Sequence, residues 1–139
     1  MAVLFYAAVT DIKCREIPNG AVLAILFYSL GTSLLMRNRA GIKIGLIVGA
    51  FVFVVNLTPA LLFPDSIGGG DVKLLSALAF HMGEGFFVLM FFLVLMLLGV
   101  MVYALVKKKG LRYSVPMAPY IFAAGVLCIF VDTFVYNIV

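Results

Sequence analysis

The stretch that decides the fold is FFVLMFFLVLMLLGVMVYALV, residues 86–106, which contains no charged side chain and is followed directly by Lys107, Lys108 and Lys109. A helix needs about 20 apolar residues to cross the hydrocarbon core of a bilayer, and this run has that length. The lysines that follow would end the span at the membrane surface, where ammonium groups stay hydrated. The stretch therefore predicts a membrane-spanning helix.

The composition of the whole chain agrees with a membrane protein. Of its 139 residues, 65% are hydrophobic and 12% are charged, and the mean hydropathy is +1.24. A soluble domain has about half apolar and about a quarter charged residues, so polar side chains could not cover a water-exposed surface here. This composition excludes a soluble globule, a disordered tail and, despite the net charge of +4, a nucleic-acid-binding domain.

Five further apolar segments accompany this helix, and together they predict an all-α polytopic membrane protein with about six transmembrane helices in one domain, residues 1–139. The segments are residues 1–17, 21–36, 42–63, 71–82 and 115–139. The first and the fourth are short for a span, since at about 1.5 Å per residue they reach roughly 25 Å and 18 Å. The alternative is five spans, with residues 71–82 re-entrant.

The basic residues orient these helices. The first, third and fifth connections, residues 13–19, 64–70 and 107–115, share one side of the membrane. With their flanks they carry Lys13, Arg15, Lys73, Lys107, Lys108, Lys109 and Arg112. The other side carries Arg37, Arg39 and Lys43. Because an excess of lysine and arginine marks the cytoplasmic side, these three connections are predicted to face the cytoplasm.

Two acidic residues then lie at similar depth on the cytoplasmic side. Asp11 precedes the end of the first helix, which Pro18 cannot continue, and Asp71 opens the fourth helix. Asp71 could serve only as a helix N-cap. Asp11 could be an interfacial acid that pairs with Lys13 or Arg15. Ionisable residues at membrane depth are costly and mark functional sites, so a paired role is the stronger hypothesis.

Three glycines, Gly68, Gly69 and Gly70, come directly before Asp71. Glycine loses more conformational freedom on folding than any other residue, so three in a row favour a functional explanation. Backbone without side chains lets a second chain approach closely, and an extended peptide could hydrogen-bond to it. A phosphate cradle is disfavoured, because the spacing is not that of a P-loop and the aspartate would repel phosphate.

A pair of carboxylates can hydrolyse a peptide bond without a covalent intermediate. The ionised member takes a proton from water while the protonated member donates a hydrogen bond to the carbonyl. No HExxH or nucleophile-elbow pattern competes with this reading, and the single histidine, His81, is placed toward the opposite side. Cys14 and Cys128 form no metal-binding pattern, so neither a metal nor a cofactor is predicted.

Three segments of the chain resemble motifs of the type IV prepilin peptidases. The first is D-I-K-C-R-E-I-P-N at residues 11–19, which resembles their D-x-x-x-R-x-I-P-N segment. The second is G-G-G-D-V-K-L at residues 68–74, which resembles their GxGDxKL motif. A softer match is V-P-M-A-P-Y at residues 115–120 with Ala124 and Gly125, which is similar to their late P-x-x-P helix start. The segments follow the family order.

This resemblance implies a GxGD-type aspartyl protease of the cell membrane, with Asp11 and Asp71 as the catalytic pair. It implies prepilin, pseudopilin or preflagellin precursors as substrates. Their class III signal peptides consist of a short basic leader, which is cut off just before an apolar helix at the cytoplasmic face. The candidate substrate contacts are Gly68, Gly69, Gly70, Arg15 and Lys73.

Two features distinguish the chain from parts of that family. Some bacterial relatives also methylate the new N-terminus and carry an extra cytoplasmic segment with four cysteines. No such segment is found here, so the chain is similar to the compact, peptidase-only form and methyltransferase activity is not expected. Ten residues precede Asp11, so the first helix is short at its outer end. Either the bilayer thins locally or the true start lies upstream.

Other classes of function stay open at this point. A small ion-coupled transporter would relay protons along intramembrane acids, but the helices offer few polar residues beyond Asp132, Asn56 and Thr58. A non-enzymatic membrane assembly factor is the second alternative. Within the protease class, a presenilin-like enzyme would share the GxGD motif but not the I-P-N segment.

Overall fold

The computed structural model describes residues 1–37, 39–62, 68–106 and 116–138. The helices are, in chain order, α1 (Ala2–Cys14), α2 (Asn19–Leu35), α3 (Arg39–Leu62), α4 (Gly69–Met82), α5 (Phe86–Val106) and α6 (Ala118–Ile138). A 3₁₀ turn, Gly83–Gly85, joins α4 to α5. No strand occurs among the described residues, so the all-α prediction is confirmed for that part of the chain.

The helices follow the predicted apolar segments, with a clear difference at the end of the first one. α1 ends at Cys14 because Arg15 adopts the left-handed conformation, with φ 54° and ψ 31°. The Arg15 N–H donates to the Asp11 carbonyl oxygen at 2.9 Å and closes the last helical turn. A left-handed residue in this position ends a helix. The prediction that Pro18 sets the end is wrong, and Asp11 lies in the last turn of α1.

Within the described residues, two helical stretches are long and apolar enough to cross a membrane, Arg39–Leu62 and Gly69–Tyr103, the second counted through the 3₁₀ turn. Asn19–Leu35 and Ala118–Phe134 are shorter apolar helices. Large apolar side chains are exposed along several of these helices, for example Phe27, which is 71% exposed. Extensive exposed apolar surface is unusual in a soluble protein and is what lipid-facing helices require. The count of six spans stays a prediction.

Part of the sequence pattern used for orientation lies outside the described residues. This applies to the basic cluster Lys107, Lys108, Lys109 and Arg112, to residues 63–67 and to Val115. The assignment of the cytoplasmic side therefore stays a prediction.

The described helices fall into two compact units. The α1–α5–α6 unit comprises Met1–Arg15 and Phe87–Val139, and the α2–α3–α4 unit comprises Glu16–Phe86. The first aspartate motif, residues 11–19, is therefore divided between the units, with Asp11 in one and the I-P-N segment in the other. That the whole chain is one domain stays a prediction.

In the α1–α5–α6 unit, α1 packs against α6. The Phe5 and Phe122 rings meet edge to face, with centroids 5.6 Å apart and an interplanar angle of 62°. A Cβ atom at Gly125 would lie 3.4 Å from the Met1 Cε and 3.8 Å from the Leu4 Cδ1. The start of α1 therefore lies close to α6 at this glycine.

In the α2–α3–α4 unit, α4 packs against both α2 and α3. Its contact with α3 is close because Gly45 and Gly49 stand one turn apart on α3 and face α4. A Cβ atom at Gly45 would clash with the carbonyl oxygen of Phe80, and one at Gly49 would lie 3.2 Å from the Phe80 Cβ and from the Ser76 carbonyl oxygen. Small residues of this kind let helix backbones approach in membrane proteins.

We predict that Gly45→Ala destabilises the protein, because the added methyl group forces α3 away from the Phe80 carbonyl. Overpacking of this kind costs about 1–3 kcal/mol of unfolding free energy. Gly31→Ala is the matched control, since Gly31 lies in α2 with no atom within 4 Å of an added Cβ. That control should gain roughly 0.5–1 kcal/mol from the better helix propensity of alanine. Thermal unfolding in detergent measures both, and equal midpoints would contradict the close α3–α4 contact.

Candidate active site

Asp11 is buried, with 6% of its surface exposed, and its carboxylate is held by the main chain of another helix. The Ala118 N–H donates to the Asp11 Oδ2 at 2.9 Å. Ala118 is the first residue of α6, and the N–H groups of a first helical turn have no acceptor within their own helix. A side chain from α1 therefore caps the N-terminus of α6.

The local sequence explains why the α6 terminus offers this donor to Asp11. The N–H groups of Tyr120 and Ile121 donate to the Met117 carbonyl oxygen at 3.0 and 3.1 Å, which makes Met117 the N-cap. Pro119 has no N–H, so it adds no donor of its own in this turn. An anion is also stabilised at the positive end of a helix. The P-x-x-P pattern here thus marks a helix start that presents the Ala118 N–H to a carboxylate.

Asp71 is half-buried in the first turn of α4. The N-cap is Gly68, with φ −66° and ψ 135°, and its carbonyl oxygen accepts from the N–H groups of Asp71 and Val72 at 3.0 and 3.3 Å. The interpretation of Asp71 as an N-cap residue is therefore wrong. Its carboxylate lies back over the cap, because a Cβ atom at Gly68 would be 3.1 Å from the Asp71 Oδ2. Gly68 leaves the room that this carboxylate occupies.

The three glycines before Asp71 have different surroundings. A Cβ atom at Gly70 would lie 3.0 Å from the Ile17 Cβ, so the space beside this glycine is filled by the chain itself. Gly69 is exposed and would have no atom within 4 Å of an added Cβ. Only Gly69 among the three therefore leaves open space beside its backbone.

Lys73 makes a second contact between the two aspartate motifs. Its Nζ donates to the Asn19 Oδ1 at 3.2 Å. Together with the Ile17–Gly70 contact, this bond holds the I-P-N segment against the start of α4. Sequence reasoning did not single out Asn19, although its place in the I-P-N segment was the available signal.

The structure places Arg15 and His81 outside these contacts, and it describes Asp11 and Asp71 only within their separate units. The Arg15 side chain is exposed at the end of α1. His81 lies in the last turn of α4, and its ring centroid is 5.6 Å from that of Tyr28. At about 1.5 Å per residue it is roughly 15 Å along the helix from Asp71. Asp11 and Asp71 belong to different compact units, and their pairing stays a prediction.

The comparison with protein families decides the family. Residues 1–105 match the type IV leader peptidase family. The chain belongs to this family. The resemblance drawn from the motifs is confirmed, and membership together with the apolar helices indicates a peptidase of the membrane. Searches of curated proteins and of solved structures found no match.

The family match covers both aspartates but not the residue that donates to Asp11. It includes both aspartate motifs and ends at residue 105, so α6 and Ala118 lie beyond it. The hydrogen bond from Ala118 nevertheless ties α6 to Asp11 within the matched region.

The neighbouring glycines offer a matched pair of substitutions. We predict that Gly70→Ala lowers both the stability and the peptidase activity, because the new methyl group pushes the I-P-N segment off the start of α4. The expected loss of unfolding free energy is about 1–2 kcal/mol. Gly69→Ala has open space around it and should unfold like the parent protein. Thermal unfolding in detergent measures this difference, and equal unfolding of the two variants would contradict the Ile17–Gly70 contact.

Proposed function

We propose that this chain is an aspartyl endopeptidase that removes the short basic leader from type IV prepilin-like precursors. In this proposal Asp11 and Asp71 form the catalytic pair, and cleavage occurs at the cytoplasmic face of the cell membrane. Membership in the leader peptidase family supports the reaction class and the class of substrate. The assignment of the two aspartates rests on their motifs and on the surroundings described above.

The observation that carries the proposal is the environment of Asp11. Its carboxylate is buried, and its hydrogen-bond partner is a main-chain N–H rather than a side chain at the membrane surface. Burying a charged group is costly, and an acid that only paired with basic side chains at the membrane surface would not need this buried position. General acid–base catalysis needs a carboxylate that is held in a fixed position, and the hydrogen bond from Ala118 fixes Asp11.

The proposed reaction is direct hydrolysis of the peptide bond that precedes the apolar helix of the substrate. The ionised aspartate takes a proton from water as the water oxygen attacks the carbonyl carbon, while the protonated aspartate donates a hydrogen bond to the carbonyl oxygen. The tetrahedral intermediate collapses, the C–N bond breaks, and the leaving nitrogen takes up a proton from the pair. Either aspartate can be the starting base in this scheme.

The other candidate residues divide into two roles in this proposal. A basic leader is repelled by cationic side chains, so Arg15 and Lys73 act on their own chain: Arg15 ends α1, and Lys73 holds Asn19. Gly69 is the point at which the substrate backbone approaches, because the space beside it is open. Gly68 and Gly70 shape the start of α4 for Asp71.

The transporter alternative gains no support from the polar residues of α3. The Asn56 Nδ2 donates to the Val52 carbonyl oxygen at 2.8 Å, and the Thr58 Oγ1 donates to that of Val54 at 2.9 Å. Both side chains thus bond to their own helix instead of offering their donors to a proton path. Family membership likewise favours a peptidase over a transporter or a non-enzymatic assembly factor.

We predict that Asp11→Asn and Asp71→Asn each abolish leader removal, with turnover lower by about 10²–10⁴. An asparagine oxygen can still accept the Ala118 N–H, so Asp11→Asn tests the acid–base chemistry without removing the hydrogen bond. The measurement is the size shift of a co-expressed precursor that carries a short basic leader before an apolar helix.

Asp132→Asn is the matched control for both substitutions. Asp132 is an exposed acid of α6 outside both motifs, and its amide variant should process the precursor like the parent protein. Membrane extraction and thermal unfolding check that all three variants insert and fold. Normal processing by either Asp11→Asn or Asp71→Asn would exclude the proposed pair.

A further inference from the structure

Ala118 contributes a main-chain N–H, and not a side-chain group, to the Asp11 carboxylate. It is 1% exposed and lies beyond the region that matches the family. The bond from its N–H to Asp11 joins residues 107 positions apart in sequence. A contact of that range, buried at both ends, has to be maintained by the packing of whole helices.

The packing of α1 on α6 maintains it. Gly125 of α6 lies against the Met1 and Leu4 side chains of α1. The Phe5 and Phe122 rings add an edge-to-face contact in the same interface. These contacts fix α1 along α6, and so fix the height of Asp11 relative to the first N–H of α6.

We infer that the Ala118 N–H is the positioning group for the Asp11 carboxylate. The N-terminus of α6 would then contribute to catalysis by orienting that carboxylate. This inference rests on the proposed function, since it assigns a role to a donor that acts through Asp11. The bond fixes the rotation of the carboxylate by engaging Oδ2. The Oδ1 atom then stays available for the reacting water of the proposed function.

The two prolines beside Ala118 fit this role. Pro116 and Pro119 lack N–H groups. Neither proline can therefore compete with Ala118 as a donor to the Asp11 carboxylate oxygens. With Tyr120 and Ile121 bonded to the Met117 carbonyl, the Ala118 N–H is directed outward from the first turn to Asp11. A carboxylate met by one donor keeps acceptor capacity for the reaction.

The test removes that hydrogen, in one of two variants without any change of side chain. Replacing Ala118 by L-lactate exchanges the N–H for an ester oxygen, and Ala118→Pro removes the same hydrogen at a helix position that tolerates proline. We expect both to lower kcat by about 10- to 100-fold, the range for losing a hydrogen bond to a charged group. KM should stay within about twofold, because the lost interaction acts on catalysis and not on substrate binding.

Two controls separate positioning from a structural effect. L-lactate at Ala40, an exposed alanine in the first turn of α3, makes the same backbone change elsewhere and should leave kcat unaltered. Ala118→Gly keeps the N–H and should retain at least about ten times the turnover of Ala118→Pro. Thermal unfolding is measured for each, and if Ala118→Pro does not fold, the ester alone decides.

The outcomes distinguish this inference from the proposed function. An ester variant at 118 with parental kcat, or with a raised KM and parental kcat, overturns the positioning role of Ala118. If Asp11→Asn is inactive in the same assay, the proposed function survives that result. If Asp11→Asn processes the precursor normally, the proposed pair fails and the positioning role fails with it.

Discussion

The hydrogen bond from the Ala118 N–H to the Asp11 carboxylate satisfies two groups that would otherwise be costly to bury. A buried charge that loses its partner destabilises a protein by several kcal/mol, and the first N–H of a helix has no acceptor in its own helix. One bond of 2.9 Å meets both needs in the α1–α5–α6 unit. It also requires that α1 and α6 keep one register, since a slip of one turn moves a side chain by about 5.4 Å along the axis. The contact of the Met1 and Leu4 side chains with Gly125 and the ring contact of Phe5 with Phe122 belong to the packing that keeps this register.

Much of the helical architecture could be predicted because membrane helices are recognised by length and polarity alone. Residues 86–106 were identified from an uninterrupted apolar run and form α5 with the same bounds. The end of α1 could not be placed in this way. Arginine has no strong preference for the left-handed conformation, so nothing in its identity indicates that Arg15 ends the helix before Pro18 is reached.

The candidate site was predictable as a set of residues but not as a set of contacts. The two motifs name Asp11 and Asp71 through their local spacing, and local spacing is readable from one sequence. The capping of α6 by Asp11 is a contact between distant segments, and the pairing of Asn19 with Lys73 is another. Such contacts depend on how helices pack, which a periodic pattern does not specify. The N-cap interpretation of Asp71 failed for a related reason. Aspartate is a residue type favoured at N-caps, but Asp71 stands three positions after the N-cap, Gly68.

The glycines before Asp71 show how one short motif can combine three requirements. Gly68 makes room for the Asp71 carboxylate, and Gly70 makes room for Ile17, so a side chain at either position would displace a group of the site. Gly69 meets no such neighbour, and its backbone is the part of the motif that stays open. A substrate peptide that pairs with this backbone in the proposed function would therefore do so at Gly69. Asp71 packs against Gly68 and Ile17 packs against Gly70. Gly69 is therefore an open position between two glycines whose surroundings are filled by the chain itself.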